Sequence, residues 1–302
     1  MIRVTTNGTL RTYKSNLMKT TNRLNNAMTK LMTQRNFSTY SADPAAATRA
    51  FKIHSSLNAT RVQADNNETV INKFQTAYST LDIVIGDIAD AMGAIPALEG
   101  LNGPNETNVN ALGGVLRSGA EAIVQSMNTQ YDNKFLFAGA DSQNPPFSIT
   151  EGADGKSYIT YRGIRIDDPA DLAQEYRDAD GNPMVAEDGH NMTKQEVLEK
   201  WNEEVQFVDI GLGFKLDENH ELIESTAFNS ALSGIDFLGY GVDESGDPKN
   251  IASIMLRLAD IFENYNDETH EWGSEGDYQQ AEKLVDKMQE SRDEAIRKWS
   301  DL

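Results

Sequence analysis

The 302-residue chain contains no cysteine. Disulfides, thiolate nucleophiles and thiolate metal sites are therefore all excluded, and the redox compartment is left open. No apolar run approaches the roughly 18 residues of a spanning helix, and mean hydropathy is -0.53, so no membrane insertion is expected. The opening Met1-Ile2-Arg3-Val4-Thr5-Thr6-Asn7-Gly8 lacks the apolar stretch of a cleaved secretory signal, so any export would use another route. Histidine is scarce as well. His54, His190, His220 and His270 offer no pair on one helix turn, so neither a metal nor another cofactor is expected; His54 reads as a surface residue.

Catalytic patterns are equally thin. Asp178-Ala179-Asp180-Gly181-Asn182 begins like a calcium loop, but Gly181 comes two residues early and flanking helices are missing. A tight acidic turn fits better. The adjacent carboxylates Asp167-Asp168, Glu203-Glu204 and Asp267-Glu268 have no catalytic context. Gly211-Leu212-Gly213 lacks the third glycine and the helix of a phosphate-binding turn and reads as a bend. An enzyme is not expected.

Acidic residues are almost missing from one end. Residues 1–75 hold eleven Lys/Arg against Asp43, Asp65 and Glu68, a local charge of +8, whereas the remainder holds 16 basic and 44 acidic residues, or -28. The basic charges spread along a helix with no interleaved aromatics, so nucleic acid is not the expected partner. A solvated face meeting acidic neighbours explains them better.

Helical periodicity is what the chain has in abundance. The organising stretch is Asp43 to Ile95, where Ala50, Leu57, Ala64, Ile71, Tyr78, Ile85 and Met92 lie seven apart, and Ile53, Thr60, Asn67, Phe74, Leu81, Ile88 and Ile95 follow each by three. That is an a/d seam. Asp43 supplies an N-cap and Pro44 a first helical residue, and some fifty residues would make a rod of roughly 80 Å. So narrow a seam needs other helices alongside.

A shorter pattern runs from about Leu10 to Arg35, with Leu10, Leu17, Leu24 and Leu31 seven apart and Tyr13, Thr20 and Ala27 between them. One strong apolar residue per two turns cannot hold a helix by itself, so this segment is expected to stay loose until copies or partners pack on it. The polar stretch Phe37 to Ala42 reads as a loop. Glu99-Gly100-Leu101-Asn102-Gly103-Pro104-Asn105 reads as a turn, after which Val109, Leu112, Leu116, Ile123, Met127 and Gln130 mark a helix returning antiparallel. Gly113, Gly114 and Gly119 either permit close helix contact or are merely tolerated there.

The period changes at Phe135-Leu136-Phe137-Ala138-Gly139, and Asn144-Pro145-Pro146-Phe147 is a boundary. Lys156–Ile166, Glu204–Leu216 and Glu221–Phe228 have strand composition, and Thr193 with Glu196 forms a capping box before a short helix. Helical pattern resumes after Pro248 through Ile251, Ile254, Leu258, Ile261 and Tyr265. Beyond a loop at Trp272-Gly273-Ser274 it runs on through Tyr278, Ala281, Val285, Met288, Ala295, Trp299 and Leu302, broken only by Arg292, as if ending within a helix.

The expected fold is mainly α with an α+β insertion: a long antiparallel helical rod, a coiled-coil-like bundle, carrying a smaller mixed β-rich domain. Its parts would be 1–42, a terminal helix and loop loose before assembly; 43–140, the first half of the rod; 141–247, the insertion; and 248–302, the returning half. The helical seams give the expected assembly positions Leu10, Leu17, Leu24, Leu31, Leu57, Ile71, Phe74, Leu81, Ile85 and Ile88.

Several stretches in order resemble the bacterial flagellin superfamily, and within it the hook-associated junction subunits. Arg3-Val4-Thr5-Thr6-Asn7 is similar to the family's opening. Ser41-Ala42-Asp43-Pro44-Ala45-Ala46-Ala47-Thr48-Arg49-Ala50 is similar to its approach to the long helix. Asn133-Lys134-Phe135-Leu136-Phe137-Ala138-Gly139 with Pro145-Pro146-Phe147 is the most specific. Phe228-Asn229-Ser230-Ala231-Leu232-Ser233-Gly234 with Phe237-Leu238-Gly239-Tyr240-Gly241 is similar to the return from the insertion. The resemblance implies a non-enzymatic structural subunit, exported without a cleaved signal through the flagellum's type III channel. It would form a ring of identical subunits at the hook–filament junction, between the other hook-associated protein and flagellin; a minor flagellin is a close variant. Family members continue with a helix that pairs with the first one, and Leu302 precedes any such segment. The export-chaperone site expected there is therefore carried onto no residue. From a different class, the alternative is an extracellular adhesin-like module on a helical stalk, binding a ligand such as a glycan through Trp201, Tyr176 and Tyr158.

Overall fold

Asp43 begins the longest helical run as its residue type dictates: Oδ1 accepts the Ala46 N–H at 2.9 Å, and Pro44 is the first helical residue. In the computed structural model, residues 6–35, 41, 43–104, 108–152, 155–178, 180–220 and 222–302 are described. Arg3-Val4-Thr5, most of the Phe37–Ala42 loop, Asn105, Ala179 and Glu221 lie outside them. Residues 1–63 and 64–302 are two separate units.

The first unit holds helix α1, Thr6–Thr33, and the start of α2, Pro44–Leu81. Ala47 is its one buried hydrophobic among the described residues.

The second unit takes in the rest of α2, which passes without a break into a π-wound segment, Asp82–Ala94, and then α3, Ile95–Asn102. The run thus outlasts the expected end at Ile95. Pro96 is the second residue of α3, directly after the π-wound segment, so its missing N–H falls where the winding changes. Winding changes the seam. The Ile95 N–H donates to the Asp90 carbonyl, five residues back, so each turn holds more than the about 3.6 residues of an α-helix. Side chains four apart then share a face: Ala77, Leu81, Ile85, Ala89, Gly93, Ala97 and Leu101 are all buried. The heptad reading is corrected here, because Ile71, Tyr78 and Ile95 remain about half exposed.

Helix α4, Val109–Met127, starts where Asn108 Oδ1 accepts the Ala111 N–H at 2.8 Å. It packs on the π-wound segment and on a later helix, Ile251–Glu263. Two of its glycines make that approach possible. A Cβ at Gly113 would lie 2.9 Å from the Glu263 backbone N, and one at Gly119 would lie 2.9 Å from Met92 Cβ; Gly114 faces open space.

Strands β1, Gln130–Tyr131, and β2, Lys134–Phe135, form a hairpin turned by Asp132 and Asn133, both at positive φ. A three-stranded antiparallel sheet follows: β3, Phe147–Glu151, β4, Ser157–Tyr161, and β5, Ile164–Arg165. Short helices α5, Pro169–Leu172, and α6, Lys194–Asn202, come next, the second with both bonds of the Thr193–Glu196 capping box. Beyond them the β content is smaller than the composition predicts. Among the described residues of 204–216 and 221–228, only β6, Phe207–Val208, and the first residue of β7, Phe228–Asn229, are strand. Gly211 and Gly213 turn left-handed, and Asp209 Oδ1 takes the Gly211 N–H at 2.9 Å, so the backbone bends away from a ladder.

Helices α7, Gly234–Leu238, α8, Ile251–Glu263, and α9, Asp277–Ser300, complete the chain. Helix α8 is central: nine of its thirteen residues are buried, so it is apolar almost all round. Arg292, the break in the α9 pattern, directs Nε to the Ile85 carbonyl at 3.4 Å. Helices and insertion share one core in this unit, which runs from Leu81 and Ile123 through Phe147, Tyr161 and Trp201 to Met288. Two of the stretches that carry the resemblance, 133–139 and 228–234, some ninety residues apart, meet inside it. The Gly139 N–H donates to the Leu232 carbonyl and the Gly234 N–H to the Phe137 carbonyl, each at 2.9 Å.

Candidate assembly surface

At 100° per residue, Leu10, Tyr13, Leu17, Leu24, Met28 and Leu31 fall within about 60° of arc on α1. All six are at least half exposed, and every described side chain from Asn7 to Arg35 is exposed. Thr12, Thr20, Thr29 and Thr33 turn their hydroxyls back onto carbonyls four residues earlier, which satisfies them within the helix. Arg11, Lys14, Lys19, Arg23 and Lys30 lie off the apolar arc, and no acidic residue accompanies them. The result is a greasy stripe with a basic back. Burying one such leucine fully stabilises by roughly 2 kcal/mol, and a lone helix of this length is marginal in water.

In the part of α2 that belongs to the first unit, Phe51, Ile53, Leu57 and Val62 are exposed. Sequence reasoning placed Ile53 and Leu57 of these in the seam, with Leu57 among the assembly positions. Phe51, Val62, Met18, Met28 and Met32 lie off the a/d positions, and their signal was apolar character outside the strict repeat.

The second unit treats its seam positions differently. Leu81 and Ile85 are fully buried, Phe74 and Ile88 are half-buried, and Ile71 is exposed. Phe74 packs edge-on to Phe228 with centroids 5.6 Å apart. Asn67, a polar seam residue, donates Nδ2 to the Ile210 carbonyl at 3.1 Å, beside Asn66 to Asp209 at 2.9 Å. So this end of α2 is already occupied by residues 207–230 of its own unit.

Four of the six carboxylates flagged in the sequence have structural partners. Asp167 and Asp168 face Arg165 at 2.8 and 3.1 Å, Glu204 faces Arg162 at 2.8 Å, and Asp267 accepts the Val109 N–H at 2.9 Å. Asp178 Oδ1 accepts the N–H groups of Asp180 and Asn182 at 3.0 and 2.8 Å, the tight turn expected there. His190 sits between Asp188 and Glu196, whose hydrogen bonds raise its pKa. Among the described residues no group of three or more His, Asp or Glu could hold a metal ion, and no helix is long and apolar enough to cross a membrane.

Of the insertion's three candidate aromatics, Tyr176 and Tyr158 are partly exposed, with the Arg165 guanidinium 3.2 Å over the Tyr158 ring. Trp201 is buried, stacked edge-on by Tyr176 at 5.6 Å and covered by the Arg162 guanidinium at 4.2 Å. Tyr161 is fully buried, and its hydroxyl donates to the Phe137 carbonyl at 3.1 Å; burial pushes its pKa up to about 12.

Solved structures similar to this chain include flagellar proteins. They include FlgL of Bacillus cereus (15% identity over 84% of this chain and 88% of that one, TM-score 0.46). A putative flagellar hook-associated protein of Vibrio parahaemolyticus shares 14% identity over 87% of each chain, with TM-score 0.47. The flagellar junction protein FlgL of Legionella pneumophila shares 12% over 84% and 96%, with TM-score 0.47. No family profile and no curated relative matches the chain.

Proposed function

We propose that this chain is a structural subunit of the bacterial flagellum, of the hook–filament junction type, which assembles into a ring by burying the α1 stripe against further helices. The observation that carries the reading is α1 itself, a 28-residue helix with six apolar side chains on one arc and none of its described side chains buried. The sequence resemblance at 133–139 and 228–234 supplies the kind of assembly. On this reading the partners are identical subunits, the other hook-associated protein and flagellin, and the protein works outside the cell after export without a cleaved signal. Catalysis plays no part in it.

The test is deletion of the gene, complemented with the parent or with Leu17→Glu/Leu24→Glu, followed by electron microscopy of the cells. Hooks without filaments and flagellin shed into the medium are expected for the deletion and for the double variant, with filaments restored by the parent. Normal filaments in the deletion strain rule the junction role out.

A further inference from the structure

Charge divides this chain by unit. Residues 1–63 hold ten Lys/Arg against Asp43 alone, whereas residues 64–302 hold 17 Lys/Arg against 46 Asp/Glu. On α1, Lys19, Arg23 and Lys30 fall within about 40° of arc, away from the apolar stripe, and all three are exposed. On α9, Glu282, Asp286, Glu290 and Asp293 fall within about 80° of arc, and all four are exposed, on the side away from the buried Leu284, Met288 and Ala295. None of these seven side chains has a hydrogen-bond or ion-pair partner among the described residues. The cations of α9 do not neutralise its row: Lys283 and Lys287 hold Asp247, Lys298 holds Asp236, and Arg292 reaches the Ile85 carbonyl. Arg297, one turn beyond Asp293, bonds the Asp293 carbonyl and closes the row.

Each row works against its own helix. Lys19 and Arg23, Glu282 and Asp286, and Asp286 and Glu290 are like charges four residues apart, and Glu290 and Asp293 are three apart, pairs that weaken a free helix. An opposite row laid alongside relieves both. The spacing matches as well, because 19, 23 and 30 step by four and then seven, as 282, 286 and 293 do. Parallel helices side by side therefore bring Lys19 to Glu282, Arg23 to Asp286 and Lys30 to Asp293 in one register, whereas no antiparallel register matches all three. Every copy carries both rows, and charged flanks select partner and direction between helices. We infer that the basic face of α1 docks, parallel and in this register, on the Glu282–Asp293 face of α9 in a second copy of this chain. The inference rests on the reading above that identical subunits assemble through α1, and it names the surface that receives the polar side of that helix.

The test uses the full chain and sedimentation velocity. The parent is expected to self-associate at about 50 mM salt and to do so at least about tenfold more weakly at about 500 mM, where screening is nearly complete beyond a few ångströms. Association carried by the apolar stripe alone would not weaken with salt. Lys19→Glu/Arg23→Glu/Lys30→Glu and Glu282→Lys/Asp286→Lys/Asp293→Lys are each expected to associate about tenfold more weakly or worse when alone. Mixed, they are expected to regain association, because each then offers the charge the other lacks. Should either triple variant fail to fold, Arg23→Glu and Asp286→Lys carry the same comparison. Asn26 and Gln289 lie seven residues beyond Lys19 and Glu282, and the chain has no cysteine, so a mixture of Asn26→Cys and Gln289→Cys proteins is expected to form a 26–289 disulfide under oxidation. A parent that stays monomeric at low salt, association unmoved by salt, mixed variants that stay apart, or no 26–289 disulfide overturns the inference. Association lost in Leu17→Glu/Leu24→Glu but unchanged in the charge variants also overturns it, while leaving the proposed function standing.

Discussion

Lys287 Nζ lies 2.7 Å from Asp247 Oδ2 and also contacts Asp243, so a single ammonium ties both ends of the Asp243–Asp247 turn to α9. Lys283 reaches the same Asp247 at 2.9 Å, and Gln280 donates to it at 2.8 Å. The contact joins the last turn of the insertion to the returning helix inside the second unit.

This clamp predicts a pH dependence. Burial pushes the Asp243 carboxyl up, but hydrogen bonds from Lys287 and from the Asp247 and Ser245 N–H groups outweigh it and bring its pKa down to about 2. The folded value lies below the unfolded one of about 3.9, so the stabilisation is fully present above that pH and is lost as pH falls through about 2. Asp243→Asn is expected to cost about 1 kcal/mol at pH 7, a figure discounted for partial exposure. Thermal melts between pH 7 and 2 should show a shallower acid decline for the variant; parallel curves would reject the clamp.

Adjacent glycines in α4 should respond in opposite directions. Gly113→Ala drives a methyl against the α8 backbone, 2.9 Å from the Glu263 N and 3.0 Å from the Ala259 O, and neither atom can swing aside. A loss of about 1–3 kcal/mol is expected. Gly114→Ala meets nothing within 4 Å and should gain about 0.5–1 kcal/mol from helix propensity alone. Denaturant midpoints decide it, and two shifts of the same sign would contradict the packing of α4 on α8.

Asn250 is a fully buried helix cap. Its Oδ1 accepts the Ala252 and Ser253 N–H groups at 3.0 and 3.2 Å, and its Nδ2 donates to the Gly239 carbonyl at 2.9 Å. Asn250→Ala removes the cap and leaves buried groups unpaired, an expected loss of about 2–4 kcal/mol. Asn250→Ser should keep the cap and lose the bond to Gly239. Equal melting temperatures for the two variants would refute that division of roles.

Two seam positions ten residues apart test the four-residue spacing. Leu81 is fully buried and Ile71 is 55% exposed, so Leu81→Ala should cost about 2–5 kcal/mol and Ile71→Ala less than about 0.5. Chemical denaturation of the dilute monomer measures both. Comparable losses would restore the heptad seam.

How far each part was legible follows from how local its cause is. The Asp43–Pro44 start, the Thr193–Glu196 box and the Asp178 turn are settled within about five residues, and the structure forms all three. The seam of α2 was legible only in part, since heptad counting assumes uniform winding and the bonds of 82–94 span five residues. The strands of 204–228 shrank because β composition does not decide pairing once Gly211 and Gly213 adopt positive φ. Arg292 read as a flaw in a stripe, yet its target is the Ile85 carbonyl, some two hundred residues away in the chain.

The sequence by itself determined the helical register of α1 and the one-sided placement of its apolar residues, because side-chain direction along a helix is fixed by residue count. It also determined the caps and turns, whose bonds close over a few residues. Only the tertiary structure decided which apolar positions are satisfied within the chain, as Leu81 and Ile85 are, and which remain open, as Leu17 and Leu24 do. Burial depends on partners brought together from distant parts of the chain, and no local pattern specifies it.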